Sequence, residues 1–196
     1  RYPYLINKLV ERGDEIIGHG WNMDTPHYGG QDRAEEADVI VKSLSSLRKI
    51  TGQKVEGWLS PSKSHSGNTP ELLVKNGVRY MCDWINDDMP YPFRTPAGEI
   101  IAMPLSTELE DRFIIQANLH SESEYADQIE DAFDYLYNEA GEQGGRMLAL
   151  SIHPWMLGQP HRIGKLEQIL AHITGPADVW SASAGEISSA WQKPVT

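Results

Sequence analysis

Apolar residues recur at the intervals of an amphipathic helix in some segments of the chain and form short continuous runs in others. The first helical set lies just before Gly13 and consists of Leu5, Ile6, Leu9 and Val10. A second set occupies residues 37–50 and is followed by Gly52. Residues three and four apart share one helix face, and glycine is favoured just past a helix end. The pattern therefore predicts two helices that end at Gly13 and Gly52.

Later segments continue this alternation of helices and strands. Helical spacing returns at residues 69–76, 124–140, 165–174 and 184–192. Asn68 is the predicted N-cap of the first of these helices, and Gly141 is predicted to end the second. Apolar runs predict strands at 15–19, 55–59, 79–84, 100–103, 113–117, 147–153 and 178–182, of which 100–103 and 113–117 are predicted to pair. The alternation favours parallel βαβ units and an α/β fold, either a barrel or an open doubly wound sheet.

Polar residues stand at the ends of four predicted strands. They are His19, Ser60, Asp83 and His153. The carboxyl ends of parallel strands meet at one edge of a sheet or one mouth of a barrel, where such folds bind ligands. We therefore expect these residues to lie near a shared site.

The two histidines of this set have different neighbours. His153 leads directly into Pro154, and an imidazole with an ordinary pKa of about 6.5 can give a proton to an amine leaving group. The alternative is a core histidine bonded to the backbone. His19 stands between two glycines, which allow backbone or substrate to approach closely. His19 is also a candidate metal ligand, but the neighbouring positions offer Asn22, Met23, Asp24 and His27 and no histidine at the short spacing of a ligand pair on one turn. A structural role is the alternative.

Carboxylates and aromatic residues add further candidates. Asp83, Asp87 and Asp88 share one loop, and their mutual repulsion needs a cation, an imidazole or backbone amides nearby. A site role is favoured for Asp83, and a solvated acidic turn is the alternative for the other two. The predicted substrate-binding residues are Trp21, Ser60, Pro61, Trp84, Asp87, Asp88, Trp155 and Arg162.

The remaining aromatic residues and histidines receive simpler interpretations. Trp58, with the other tryptophans near strand ends, is predicted to form an aromatic pocket wall, although core packing would explain these residues equally well. Trp180 and Trp191 are predicted core residues. His65, His120 and His172 are predicted to lie on the surface or on helices without a role.

Composition narrows the classes of partner. The 196 residues fit a single domain, and a net charge of -11 would repel a nucleic-acid backbone. Membrane spanning is not expected, because no apolar run reaches about 18 residues. The single cysteine, Cys82, excludes a disulfide framework and a cysteine-rich zinc site, and favours a cytoplasmic location. A small molecule or a carbohydrate is the expected partner, and homo-oligomerisation is left open.

Several motifs together resemble one enzyme superfamily. They occupy residues 12–21, 51–61, 68–73, 83–91 and 152–162, and the last two, which begin Asp83-Trp84 and Ile152-His153, are the most specific. This set resembles the polysaccharide deacetylase superfamily (NodB homology, carbohydrate esterase family 4), and within it the allantoinase-like and peptidoglycan-deacetylase-like branch. The resemblance implies an incomplete, distorted (β/α) barrel of the glycoside hydrolase/deacetylase type and hydrolysis of a non-peptide C–N amide bond.

The resemblance also implies roles for individual residues. His19 matches the first histidine of the family's metal-binding segment, and His153 matches the histidine that protonates the leaving amine. Ser60, Pro61 and Asp83 match segments that line the groove and orient the catalytic groups. The expected catalytic residues are therefore His153, Asp83 and His19.

Two departures from the family pattern shape the expected function. The early Asp-Asp motif has no match, and Met23 replaces the second metal histidine. A zinc-dependent N-acetyl sugar deacetylase and a metal-independent allantoinase-like or cyclic imide hydrolase both remain open, as does a catalytically silent carbohydrate-binding barrel. Residues 1–196 are expected to form one such domain without its N-terminal strand or strands, and this stretch alone is expected to be inactive.

Overall fold

A computed structural model describes residues 2–191, which fall into two compact units. The first unit contains the described residues up to Pro104 and from Ala182 onward, and the second is Leu105–Ser181. Gln192, the last residue of the predicted closing helix, lies outside the described residues. Within residues 2–191, no helix is both long and apolar enough to cross a bilayer.

The helices agree closely with the predicted segments. Those of the described chain are α1 (Pro3–Arg12), α2 (Arg33–Thr51), α3 (Thr69–Lys75), α4 (Glu122–Gln143), α5 (Pro154–Leu157), α6 (Ile163–Ile173) and α7 (Ala184–Trp191). Gly13 and Gly52 adopt left-handed φ values of 82° and 70° at the ends of α1 and α2, as predicted. Asn68 stands at the predicted N-cap position of α3, but its side chain accepts a hydrogen bond from Arg33 and does not cap the helix. α4 passes through Gly141, contrary to prediction.

The sheet belongs to the first unit and is shorter and more mixed than predicted. Its strands are β1 (Gly57–Trp58), β2 (Tyr80–Met81), β3 (Tyr91–Thr95) and β4 (Gly98–Ala102), in the order β1-β2-β4-β3. β1, β2 and β4 are parallel, and β3 is antiparallel to β4. Of the predicted strand 15–19, Gly18 alone forms a bridge, to Trp58. The predicted pairing of 100–103 with 113–117 is wrong, because the tight turn between β3 and β4 supplies β4 with its partner.

Three predicted strands of the chain are absent from the described residues. Residues 113–117 belong to a π-helix, Arg112–Ala117, which buries Ile114 and Ile115. Residues 147–153 and 178–182 have no strand partner in the part of the chain that is described. An apolar run becomes a strand only when a neighbour takes up its backbone hydrogen bonds, and periodicity alone does not reveal that neighbour.

Each unit has its own hydrophobic core. The first is centred on Ile40, Leu44, Trp58, Leu73, Met81 and Ile100, and the second on Ile114, Tyr125, Ala126, Ile129, Leu157 and Ile169. Trp58 is fully buried, so it is a core residue and not a pocket wall. Trp180 and Trp191 are 60% and 44% exposed, which contradicts their predicted core positions.

Candidate functional site

In the first unit, the loops after β1 and β2 are joined through the Asp83 carboxylate. Asp83 Oδ1 accepts the backbone N–H of Ser60 at 2.7 Å, and Ser60 Oγ accepts the indole N–H of Trp58 at 2.9 Å. The Asp83 side chain is fully buried, and Ser60 is buried as well. The predicted convergence of these two strand ends is therefore confirmed. In this structure Ser60 and the buried Pro61 support the loop, and their contact with substrate stays a prediction.

His65 was predicted to have no role, but it lies against this carboxylate. Its Nδ1 is 3.1 Å from Asp83 Oδ2, and its side chain is 27% exposed. The hydrogen bond to Asp83 raises the pKa of His65, although partial burial opposes this shift. No periodicity or strand end marks His65 in the sequence. Its nearness to Ser60-Pro61 was the available signal.

His19 is held by a backbone carbonyl at the neighbouring strand end. Its Nδ1 lies 2.6 Å from the Leu59 carbonyl oxygen. Because a carbonyl can only accept, Nδ1 carries the proton, and the neutral ring presents Nε2 as its acceptor. The approach depends on Gly18, because a Cβ there would overlap the indole of Trp58. His19 is thus a fixed imidazole whose Nε2 can bind a metal or a proton.

The residues around His19 do not by themselves fit a zinc site. A catalytic zinc ion usually has three protein ligands. Among the described residues no group of three or more histidine, cysteine, aspartate or glutamate side chains could hold a metal ion. Met23, which is 61% exposed, stands where a second histidine would be expected. The predicted metal role of His19 therefore lacks companion ligands among these residues.

A second carboxylate–imidazole pair, His27 and Glu36, is buried next to the loop that carries His65. His27 and Glu36 are both fully buried, and His27 Nδ1 lies 3.4 Å from Glu36 Oε1. The Glu36 carboxylate also accepts the hydroxyl groups of Ser66, at 2.6 Å, and Thr69. Burial is the largest influence on the pKa of His27 and lowers it, while the nearby Glu36 opposes the shift. His27 is therefore a buried neutral imidazole at neutral pH.

This burial predicts an acid-sensitive contribution of His27 to stability. The folded-state pKa of His27 is below the unfolded value of about 6.5, so the unfolded chain takes up the proton first as the pH falls. We expect the free energy of unfolding to decrease below pH ~6.5, and to decrease less in His27→Gln. Urea unfolding at several pH values measures the free energy of unfolding of wild type and of His27→Gln.

His65→Gln is the matched control, because the pKa of His65 is shifted in the opposite direction. The raised pKa of His65 stabilises the fold at low pH, and this contribution is lost as the pH rises. Equal pH slopes for wild type and His27→Gln would contradict the prediction.

In the second unit, His153 is fixed by Asp111. Asp111 Oδ1 lies 2.6 Å from His153 Nδ1, and Oδ2 accepts the backbone N–H of His153 at 2.7 Å. Asp111 is fully buried and also accepts the N–H of Arg112 at the start of the π-helix. Glu110 places a carboxylate oxygen 3.8 Å from Nε2, and the Trp155 ring meets the imidazole edge-on at 5.6 Å. Asp111 therefore holds the imidazole through Nδ1 and through the backbone, while the second carboxylate, that of Glu110, faces Nε2.

Sequence reasoning missed both acidic partners of His153. Glu110 and Asp111 precede residues 113–117, which were interpreted as a strand. An aspartate just before an apolar run is also a helix-cap signal, and Asp111 does cap the π-helix. His153 itself has an extended backbone and passes into α5 at Pro154, but the strand that it was predicted to end is not formed in the described chain.

The other predicted substrate-binding residues are at least partly exposed and have local partners. Trp21 is 41% exposed, with the Lys42 ammonium 3.9 Å from its ring centre. Trp84 stacks on Phe93 at 4.6 Å. Asp87 accepts the N–H of Met89 and so closes its own turn.

The rest of the set is exposed or makes a longer ionic contact. Asp88 is exposed, and Trp155 is 56% exposed beside His153. Arg162 Nε lies 4.0 Å from Glu122. His19 belongs to the first unit and His153 to the second, and a role in one shared site stays a prediction for all these residues.

Comparison with known proteins gives consistent matches. The family model for polysaccharide deacetylases matches residues 1–81. A Schizosaccharomyces pombe protein named for polysaccharide deacetylase is 25% identical over 96% of this chain and 63% of that protein. A peptidoglycan deacetylase of Helicobacter pylori is 23% identical over 96% of this chain and 73% of that protein.

Solved structures agree with these sequence relatives. A Pseudomonas aeruginosa PAO1 structure named for polysaccharide deacetylase is 27% identical, with a TM-score of 0.84 over 96% of this chain and 63% of that one. An allantoinase named Puue is also 27% identical, with a TM-score of 0.86 over 97% of this chain and 63% of that one. The chain thus spans less than two thirds of the length of both solved relatives. Their likeness confirms the predicted α/β fold of the deacetylase type, and together with the sequence matches it confirms the predicted resemblance to polysaccharide deacetylases.

Proposed function

We propose that this chain carries the catalytic acid of a hydrolase that cleaves a non-peptide C–N amide bond, with an N-acetylated sugar as substrate. The observation that supports the proposal is the pair formed by His153 and Asp111. Asp111 binds both Nδ1 and the backbone N–H of His153. A buried carboxylate on one ring nitrogen fixes the tautomer and orientation of the ring and stabilises the imidazolium, so the other nitrogen can act on a substrate.

The proposed chemistry is hydrolysis with proton transfer to the amine. Water gives one proton to a general base as it adds to the acetyl carbonyl carbon, the C–N bond breaks, and the leaving nitrogen takes the proton from Nε2 of His153. The proton taken by the base passes to solvent, from which His153 is protonated again. The products are acetate and a free amine. Asp111 acts as a positioning residue, because it touches His153 and not the reacting atoms. Asp83 and His19 are the proposed site residues of the first unit.

The substrate is tested by comparing two assays on the natural protein that contains this chain. Release of acetate from chito-oligosaccharides is the expected result. The second candidate is hydrolysis of a ureide such as allantoin, which the likeness to Puue allantoinase favours. Hydrolysis of allantoin without acetate release would replace the first candidate with the second. Binding of chito-oligosaccharides without any turnover, unaffected by His153→Ala, would support the silent carbohydrate-binding alternative instead.

Removal of metal provides an independent prediction about the mechanism. The resemblance assigns one possible metal ligand in this chain, His19, and the described residues contain no group of three or more side chains that could hold a metal ion. We therefore expect dialysis against a strong chelator, followed by assay in metal-free buffer, to leave most of the hydrolytic activity. Metal analysis of the dialysed protein is the control. Loss of activity that zinc restores would contradict the prediction and would assign His19 to a metal site completed by residues outside the described part.

The expected partner is a small molecule or a carbohydrate. The net charge of -11 disfavours nucleic acid. A cytoplasmic location and a homo-oligomer are further proposals, the former resting on the single cysteine. Burial raises the pKa of this Cys82 thiol to about 12, so it is protonated at neutral pH and does not serve as a nucleophile.

A further inference from the structure

We propose that His65 is a positioning residue that holds the Asp83 carboxylate and the Trp84–Phe93 ring pair in place at the carboxyl end of β2. Asp83 is one of the site residues proposed above, so the catalytic part of this inference rests on the proposed function. The coupling between His65, Asp83 and Trp84 is a property of the first unit and can be tested without turnover.

The first step of the argument is the hydrogen bonding of Asp83. The carboxylate is fully buried, where an ionised group is costly unless its oxygens are bonded. Ser60 donates its backbone N–H to Oδ1, and His65 Nδ1 lies 3.1 Å from Oδ2. Each oxygen therefore has a donor, and the two donors come from different parts of the same loop. Without His65, Oδ2 would lose the imidazole donor, and the carboxylate would be held less firmly.

The second step concerns the aromatic rings. His65 meets Trp84 edge-on at 5.5 Å, and Trp84 stacks on Phe93 at 4.6 Å. Trp84 directly follows Asp83 in the chain, so the His65 imidazole contacts both the buried carboxylate and the neighbouring indole.

The third step concerns the backbone that delivers His65. Ser62 and Lys63 both adopt left-handed conformations, with φ values of 55° and 52°. Non-glycine residues rarely adopt this conformation, which persists only where surrounding contacts enforce it. Ser64 is tied to the His27 carbonyl at 2.5 Å immediately afterwards. The loop therefore holds two residues in an unfavourable backbone conformation, and this conformation places His65 next to Asp83.

The charge of His65 follows from the groups that face it. Asp83 and the more distant Glu36 are negative, and hydrogen bonding to the Lys63 backbone also favours the protonated ring. Partial burial acts in the opposite direction. The balance raises the pKa of His65, so its protonation can be followed above pH 6.5.

The spectroscopic test uses tryptophan fluorescence, because a protonated imidazole quenches an indole that it touches. Wild type is expected to show a pH-dependent component with a midpoint above 6.5. This component should vanish in His65→Asn and in Trp84→Phe, and its midpoint should fall in Asp83→Asn. A component that Trp84→Phe removes but His65→Asn does not, or a midpoint of this component that is unchanged by Asp83→Asn, would overturn the inference whether or not the protein turns over a substrate.

The kinetic test uses acetate release from chito-oligosaccharides by the natural protein. His65→Ala is expected to lower kcat about tenfold or more, which is the size expected for one lost hydrogen bond to a charged group. His65→Asn keeps an N–H donor in nearly the same place and should recover most of that loss, with KM little changed. Wild-type kcat in folded His65→Ala would contradict the positioning role. Absence of turnover in wild type would instead contradict the proposed function, and the fluorescence result would still decide whether His65 is coupled to Asp83.

Discussion

His153→Gln is expected to lower the rate of amide hydrolysis by about 10²- to 10⁴-fold, the usual contribution of a general acid. Glutamine preserves polarity and approximate size, but it cannot supply an acidic proton to the leaving amine. The buried Asp111 keeps the backbone N–H of residue 153 as a donor, so the fold should tolerate the change. Steady-state kinetics of acetate release measures the effect, and thermal unfolding checks that the protein remains folded.

A matched control for this substitution exists in the same unit. His172 also pairs with an aspartate, since its Nε2 lies 2.7 Å from Asp134, but both side chains are substantially exposed. His172→Gln should therefore leave turnover unchanged. If His153 and Asp111 act together, adding Asp111→Asn to His153→Gln should cause little further loss of activity. A similar small loss in the His153 and His172 variants would remove His153 from the mechanism.

Gly57→Ala is expected to destabilise the protein by about 1–3 kcal/mol, because it overpacks the space between β1 and the Tyr80 side chain of β2. A Cβ at position 57 would overlap the Tyr80 ring and lie 2.6 Å from Ile17 Cγ2. Tyr80 is fully buried and cannot move aside into solvent. For a chain of this size, each kcal/mol lowers Tm by about 2–4 °C, which a thermal melt detects.

Gly67→Ala is the control for Gly57→Ala. It distinguishes the effect of overpacking from the general effect of replacing glycine by alanine. Nothing lies within 4 Å of a Cβ at Gly67, so Gly67→Ala should change Tm very little. A smaller residue at position 80 should also reduce the cost of Gly57→Ala, because the two positions share one space. If Gly57→Ala lowered Tm as little as Gly67→Ala, the close packing of β1 against β2 would be wrong.

Because Trp58 and Ser60 follow Gly57 within three residues, we also expect Gly57→Ala to lower the hydrolytic activity.

Within residues 2–191, three buried carboxylates each lie next to an imidazole, with different chemical results. Asp111 and Asp83 approach the ring nitrogens of partly exposed histidines at hydrogen-bond distance. Glu36 lies farther from His27, which is completely enclosed. Burial therefore controls the pKa of His27 and lowers it, while the hydrogen bond to Asp83 controls the pKa of His65 and raises it. The pairs of Asp111 and Asp83 contain partly exposed histidines that substrate can reach, so they are suited to a catalytic site. The enclosed pair of Glu36 and His27 is suited to structural support.

The local sequence determined most of the helical structure. Apolar residues at three- and four-residue spacing define one face regardless of distant partners, and glycine in a left-handed conformation ended α1 and α2 as predicted. The motifs around Asp83 and His153 also carried the family resemblance. These signals lie within short segments, so they can be interpreted without a tertiary structure.

The tertiary structure decided which apolar runs became strands and which acids met the histidines. Residues 113–117 became a π-helix, and β3 paired with β4, because strand formation depends on a partner for backbone hydrogen bonds. The contact of Asp111 with His153 spans 42 residues, and that of Asp83 with His65 spans 18. A charge pattern along the chain does not specify such distances. Folding brings these groups together, and burial then sets how strongly they interact.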